Sequence, residues 1–285
     1  MTQHAPFSVL MSVYAGDKAD YFLRAFRSTV NKQTLVPSEV VVVEDGPVSL
    51  DMCAVIERVA SESPAPVKRL KLEKNVGLAN ALAIGLESCS YDIVARMDAD
   101  DISEPQRFAT QLPVIESGFD LVGTALVEFV GHEEHTAITR TPPTDPRDIA
   151  RSSRFAQPFY HPTVMFRKAA VEAAGGYEDI GPMEDYWLFA RMIYGGARVT
   201  NIATPLLRYR IDDGAYARRG GADKLRTELG LQWRFVRLGF TNIFQFARNV
   251  LIRGGYRLVP EPIRRRAYRR LIATRFSEQD SGPSL

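Results

Sequence analysis

Cysteine is nearly absent: Cys53 and Cys89 are the only two in 285 residues. They form no metal-ligand spacing, which points to two reduced thiols in a cytosolic protein. Long apolar runs are missing as well. No stretch of about 18 uninterrupted apolar residues occurs, which excludes an ordinary membrane-spanning helix, so any membrane association is expected to be peripheral. The first apolar run, FSVLMSV, has no basic segment before it and breaks at AGDKAD, so a secretory signal is not expected. The turn after that run holds no G-x-G-x-x-G, which argues against an NAD-dependent enzyme. It also lacks a glycine-rich loop carrying Arg and Lys, which argues against a sugar-nucleotide pyrophosphorylase. Internal repeats and low-complexity tracts are missing too.

What is present suits one large or two small globular domains: 45% of residues are hydrophobic and 25% charged. The net charge is only +2, but it is uneven, with nine arginines against the single acid Glu261 between Arg248 and Arg275. We expect a boundary near Gly220, giving domains 1–219 and 220–285, the second helical and basic. In the first, FSVLMSVY (7–14) reads as a buried strand, followed by a helix marked by Phe22, Phe26 and Val30. SEVVVVEDGP repeats the pattern with four valines, as expected of a parallel strand covered on both faces, and ends in Glu44 and Asp45. A helix at 50–60, a strand KRLKL, a helix LANALAIGLE and a strand YDIVARMD follow. Ser103 stands three residues before Gln106, the spacing of a capping box, with Pro105 in the first turn. DLVGTALVEFV is another strand. Later come a helix from about Asp145, a short strand TVMF, helices over RKAAVEAAGG and PMEDYWLFARMIYGG, and two strands, ARVTNI and LLRYRI. Alternation of this kind predicts an α/β fold with a mostly parallel central sheet flanked by helices, whose ligands bind beyond the carboxyl ends of its strands.

The acids gather at those ends. Asp98 and Asp100 lie two apart, so in an extended segment they share a face with the small Ala99 between them. Two adjacent carboxylates repel, and a hard divalent cation such as Mg²⁺ or Mn²⁺ removes the repulsion while sharing its shell with substrate phosphates. An acidic turn capping the helix near Ser103 would account for Asp101, but leaves the clustering unmotivated.

SVLMSVYAGD, VVVVEDGP, KNVGLANALAIGLE, RMDADDISEP, FYHPTVMFRKAAVEAAGGY, MEDYWLFARM and LLRYR stand in the order and rough spacing of the family 2 glycosyltransferases of GT-A fold, and from about Phe7 to Ile211 the chain resembles that family. The resemblance implies that Ser12, Val13 and Tyr14, with Asp45, hold the nucleobase, and that Asn75 and Asn80 lie beside the nucleotide. It assigns Asp98 to the ribose or the metal and Asp100 to the metal. It implies Asp185 as the general base that takes the acceptor's proton, with Glu184 bonded to donor sugar or acceptor. His161 would line the donor site near the diphosphate, Arg210 would help order a loop over it, and Trp187 could stack on a sugar; His161 and Trp187 are equally readable as packing.

The activity so implied is an inverting, metal-dependent, non-processive transfer of a sugar from a nucleotide diphosphate, UDP foremost, to a saccharide or lipid-linked acceptor in cell-surface polysaccharide synthesis. A sugar-nucleotide-binding scaffold without activity, or a nucleotidyltransferase on the same sheet, is the competing reading. For the basic extension, Ile243, Phe244, Ala247, Val250 and Leu251 form one helical stripe, and Ile263, Ala267 and Leu271 mark a second helix. These faces either pack on the catalytic domain or lie on an anionic membrane surface at the cytoplasmic side. Nucleic acid is not an expected partner; a homodimer is a further assembly the sequence allows.

Overall fold

A computed structural model describes residues 4–131, 136–211 and 222–254. The chain divides into two compact units, Met1–Ile211 and Asp212–Leu285. Among the described residues of the first lies a nine-stranded sheet in the order β3-β2-β1-β4-β8-β6-β9-β5, with β7 paired to β6. Its strands are β1 (Phe7–Tyr14), β2 (Glu39–Asp45), β3 (Val67–Lys71), β4 (Ile93–Met97), β5 (Ile102–Ser103), β6 (Leu121–Phe129), β7 (Thr136–Arg140), β8 (Met165–Arg167) and β9 (Val199–Arg210). The helices are α1 (Ala19–Thr29), α2 (Leu50–Glu62), α3 (Leu78–Ser88), α4 (Arg107–Glu116), α5 (Pro146–Ser152), α6 (Lys168–Ala173) and α7 (Glu184–Tyr194). The longer ladders are parallel: β1 with β2 and β4, β2 with β3, and β6 with β9. The short strand β8 enters between β4 and β6 antiparallel to both.

Side-chain alternation builds two cores from the same strands. Phe7, Val9, Met11 and Val13 of β1, with Val40 and Val42 of β2, bury one way, together with Phe22 and Phe26 of α1. Leu10, Val41, Val43 and Val94 bury the other way, with Leu82 of α3 and Leu188 and Phe189 of α7. On this second face α3 lies close to the sheet: a Cβ at Gly85 would come within 2.5 Å of Leu10 and 2.7 Å of Val43. Glycine at this position lets the helix lie against the two side chains without displacing them.

Two expectations are corrected. Ser103 caps no helix. It lies in β5, its Oγ accepts from buried Arg107 at 3.1 Å, and α4 starts only at Arg107 with Gln106 as its flanking residue. The buried guanidinium has the stronger claim on the hydroxyl. ARVTNI and LLRYRI are not two strands but parts of β9, whose register against β6 shifts around Thr124 and Ala125. That irregularity lets Pro205, which has no N–H for a ladder, sit inside a strand.

In the second unit α8 (Ala222–Leu238) ends at Gly239, whose φ of 80° allows the chain to turn so that Phe240 N bonds Phe235 O at 2.9 Å. Then α9 (Ile243–Asn249) opens with a capping box between Asn242 and Gln245 and continues into a wider π-type turn, Val250–Gly254. The second expected amphipathic helix, around Ile263, lies outside the described residues. No helix among the described residues is long and apolar enough to cross a membrane.

Candidate active site

Strand β4 stops at Met97, and the acids that follow sit in a bend, not in the extended strand that the two-residue spacing suggested. The bend gathers them more tightly than a strand would: one ligand oxygen from each of Asp98, Asp100 and Asp101 lies within 4.8 Å of the others. Two buried arginines clamp the segment. Arg210 donates its backbone N–H to Asp101 Oδ1 at 2.8 Å and its Nε to the Asp100 carbonyl at 2.9 Å. Arg107 donates to the Arg96 carbonyl at 2.8 Å. Asp101 is fully buried, and its Oδ2 meets no hydrogen-bonding partner. Burial, then the charges of Asp98 and Asp100, push its carboxyl well above the usual range. Three converging carboxylate groups that repel one another, one with an unpartnered oxygen, fit a hard divalent cation.

Arg96 is the residue that sequence reading missed. Alternation turns it onto the same face as Val94, toward α7, and its side chain is 3% exposed. It pairs with Asp98, while its Nε and Nη1 meet no partner. Its charge also acts on Glu184 and Asp185 at the start of α7. Burial, then the charge of neighbouring Asp185, lifts Glu184 to about 7. Asp185 is likewise raised, by burial first, although Gln157, the Tyr186 N–H and Arg96 act against the rise. Burial therefore outweighs the helix dipole here. Asp185 Oδ2 accepts from Gln157 Nε2 and Oδ1 from Tyr186 N at 2.7 Å, so both oxygens are oriented and each keeps a lone pair.

Across from this pair lies the start of α3. A cavity of about 450 Å³ is lined by Gly77, Leu78 and Ala79 on one side and by Asp179, Gly181, Glu184 and Asp185 on the other. Asp45 shapes its α3 wall: its carboxylate accepts from Val76 N at 2.7 Å and Gly77 N at 3.2 Å. Asn75 donates to the Asp45 carbonyl at 3.2 Å, and Asn80 closes its own helical turn onto Val76 O at 2.8 Å. Gly46 is part of this fit, since a Cβ there would stand 2.5 Å from Asn75 N. Tyr14 is half exposed and Ser12 partly so, while Val13 is buried in the α1-side core and offers a ligand only backbone. Asp17, which the sequence reading passed over, accepts from Tyr14 N at 3.0 Å; burial, with a smaller push from Asp98, raises its carboxyl to about 6.

The three remaining candidates stand behind the cavity. His161 is buried, with Nε2 2.9 Å from Tyr177 Oη and Nδ1 3.9 Å from Asp185 Oδ2. Burial, then Arg96, hold it well below its ordinary pKa, so it packs under Asp185 as a neutral ring. Trp187 is buried too. Its indole N–H donates to Glu178 at 2.9 Å and Arg191 lies over its ring, so the side chain is engaged in packing. Arg210 is sandwiched between the Tyr21 and Phe129 rings at 3.9 and 4.5 Å, and holds the acid bend from within.

The model for "Glycosyl transferase family 2" matches residues 8–174. The chain belongs to glycosyl transferase family 2. Relatives of this transferase include the amylovoran biosynthesis glycosyltransferase AmsE of Erwinia amylovora, 37% identical over 256 residues, covering 89% of this chain and 94% of the relative. The UDP-Gal:alpha-D-GlcNAc-diphosphoundecaprenol beta-1,3-galactosyltransferase of Escherichia coli is 31% identical over 268 residues, covering 93% and 96%. Among solved structures, S. aureus TarS in complex with UDP-GlcNAc superimposes with a TM-score of 0.67 at 15% identity, over 87% of this chain and 72% of that one. The GT-A fold is therefore shared, and the chain is a glycosyltransferase.

Proposed function

We propose that this transferase moves a sugar with inversion from a nucleotide diphosphate, UDP foremost, to a lipid-linked saccharide acceptor at the cytoplasmic face of a membrane during surface-polysaccharide synthesis, adding one sugar per encounter. The observation that carries the reading is the placement of the Glu184–Asp185 pair on the wall of a cavity whose opposite wall is the Asp45-bound loop. The relatives' substrates, a UDP-sugar and a diphosphoundecaprenol-linked saccharide, support the choice of donor and acceptor.

Asp98, Asp100 and Asp101 would hold Mg²⁺ or Mn²⁺, which supplies Lewis-acid stabilisation of the leaving diphosphate. The chain's own residues do the rest. Asp45 and the backbone of Ser12–Tyr14 border the nucleobase side, Asn75 and Asn80 the nucleotide. Glu184 bonds a hydroxyl of the donor sugar or the acceptor. Asp185 takes the proton from the acceptor hydroxyl as that oxygen forms its bond to the anomeric carbon. The bond from that carbon to the phosphate oxygen breaks, and its electron pair leaves with the diphosphate. Attack from the face opposite the leaving group inverts the centre, and no enzyme nucleophile is required. The upward shift of Asp185 strengthens it as a base, since catalytic efficiency rises as the base's pKa approaches the working pH. Gln157 and the Tyr186 N–H fix its direction.

Asp185→Asn tests the reading. Shape is kept, so UDP should bind as before by calorimetry, while transfer falls by about 10² to 10⁴. Near-normal turnover would move the base elsewhere.

A further inference from the structure

In the second unit α9 and the π-type turn after it are built inside out. Their buried side is polar: Asn249 of α9 donates to Gln232 of α8 at 2.9 Å, Gln232 to Glu228 at 3.1 Å, and Arg253 of the turn to Glu228 at 2.6 Å, with Asn249, Gln232 and Glu228 all buried. Their outer side is apolar, with Phe244 of α9 82% exposed and Leu251 and Ile252 of the turn 76% and 59% exposed. On α8 the same mixture recurs, Trp233 at 52% and Leu229 beside exposed Arg226, Arg234 and Arg237. Trp233 and Phe246 touch edge-on at 6.0 Å, so the two helices meet there. Large apolar side chains left in water are unfavourable, and a contiguous set of them marks a surface that something covers.

Charge decides between the two occupants. A second copy of this chain would meet the surface through a two-fold axis, setting each patch against itself. With Arg226, Arg234, Arg237 and Arg248 exposed on these two helices, that contact would press arginine on arginine. An anionic bilayer offers the opposite sign and, beneath it, an apolar layer for Phe, Leu, Ile and Trp, the arrangement of an interfacial helix. We propose that α8 and α9 dock the enzyme on an anionic lipid surface, with Phe244, Leu251 and Ile252 inserted at the headgroup boundary and Trp233 at its edge. The acceptor reading above gives this docking its use, but docking itself involves neither donor nor acceptor.

The full-length protein carries its own probe. Of its two tryptophans, Trp187 is buried in the catalytic unit and Trp233 is exposed. Vesicles of phosphatidylcholine with about one third phosphatidylglycerol should bind the protein at low salt and release it at high salt. They should shift Trp233 emission to the blue and shield it from acrylamide, while pure phosphatidylcholine vesicles do neither. Trp233→Phe should abolish the spectral change. Phe244→Ser with Leu251→Ser should lower partitioning by about tenfold or more, with UDP binding unchanged as the check that the catalytic unit is intact. The proposal fails if the double variant partitions like the parent, or if vesicles bind without altering Trp233. It also fails if the parent ignores vesicles and forms a dimer in sedimentation velocity that the double variant loses. Because UDP binding is measured apart from vesicles, failure here leaves the reading of the active site standing.

Discussion

Arg96→Met keeps most of the side chain's volume and removes its charge, and the consequences can be worked from what surrounds it. Breaking a buried ion pair from one side costs about 3–5 kcal/mol when the remaining charge stays buried. The carboxylate left behind, Asp98, is 29% exposed and can turn to water, which places the stability loss near or below the lower figure. The effect on catalysis has a definite sign. Arg96 favours the ionised forms of Glu184 and Asp185, and Asp98 opposes them. Removing the arginine takes away the first influence and unmasks the second, so both act to raise Asp185. At an effective dielectric of about 20, a unit charge within about 10 Å contributes roughly 1.5 kcal/mol or more, which is about one pH unit. His161 and Tyr177, which also face this corner, are held neutral by burial and add no compensating charge.

The acid limb of kcat/KM, measured at saturating metal, should therefore move up by about one unit, so that much of the lost activity returns at higher pH. Arg96→Lys keeps the charge without the planar fork and should restore the limb more fully than the stability. A purely structural role would lower activity equally at every pH. That flat loss, or a lysine variant whose profile matches the methionine variant's, would refute the electrostatic role assigned to Arg96.

Two further outcomes follow from the acids. Asp100→Ala should weaken UDP binding by at least about tenfold in Mn²⁺ by calorimetry, while the substitution keeps the backbone carbonyl that Arg210 holds; undiminished metal-dependent binding would remove Asp100 from the ligand set. Glu184→Gln should stabilise the fold at high pH. The folded-state pKa of about 7 lies above the ordinary 4.5, so ionising Glu184 costs nothing below about pH 4.5, progressively more up to about 7, and a constant amount beyond. The gain is on the order of 3 kcal/mol at pH 8, read as a higher denaturant midpoint that converges with the parent's near pH 4.5.

Much of this was legible in the sequence where one local pattern sufficed. The valines of β2, the strand running into the acids and the helical period of Tyr186, Phe189 and Ile193 each declare their element within ten residues or so, and the order of those elements leads to the sheet. The features that escaped depend on side-chain pairings that the apolar pattern does not show. Ser103 and Gln106 have the spacing of a capping box, but nothing nearby shows that Arg107 folds back to occupy the serine. Pro205 reads as a strand break because the register shift that accommodates it belongs to β6. Trp187 offered itself as a sugar platform until Glu178 and Arg191 closed around it. Arg96 did leave a signal: one charged residue at an inward position of IVARM, a strand buried at every residue. Such a charge requires a partner, and the acids after it are where to look.

The grouping of those acids also explains why the site is costly to fold. Asp98 raises Asp17, Asp101 and Asp185, so the charges around the cavity form one interacting set rather than separate pairs. Arg96 offsets part of it from below. What is left over is repulsion that the protein alone does not relieve, and a nucleotide diphosphate arriving by itself would add to it. A divalent cation bound with the nucleotide reverses that sign. Affinity for the diphosphate should then depend on metal even though the cavity walls are already formed by Asp45, Gly77 and α7. Burial first, and that residual repulsion after it, raise the pKa values of Glu184 and Asp185, so the strain that weakens the fold is also what would equip Asp185 for the proposed role of base.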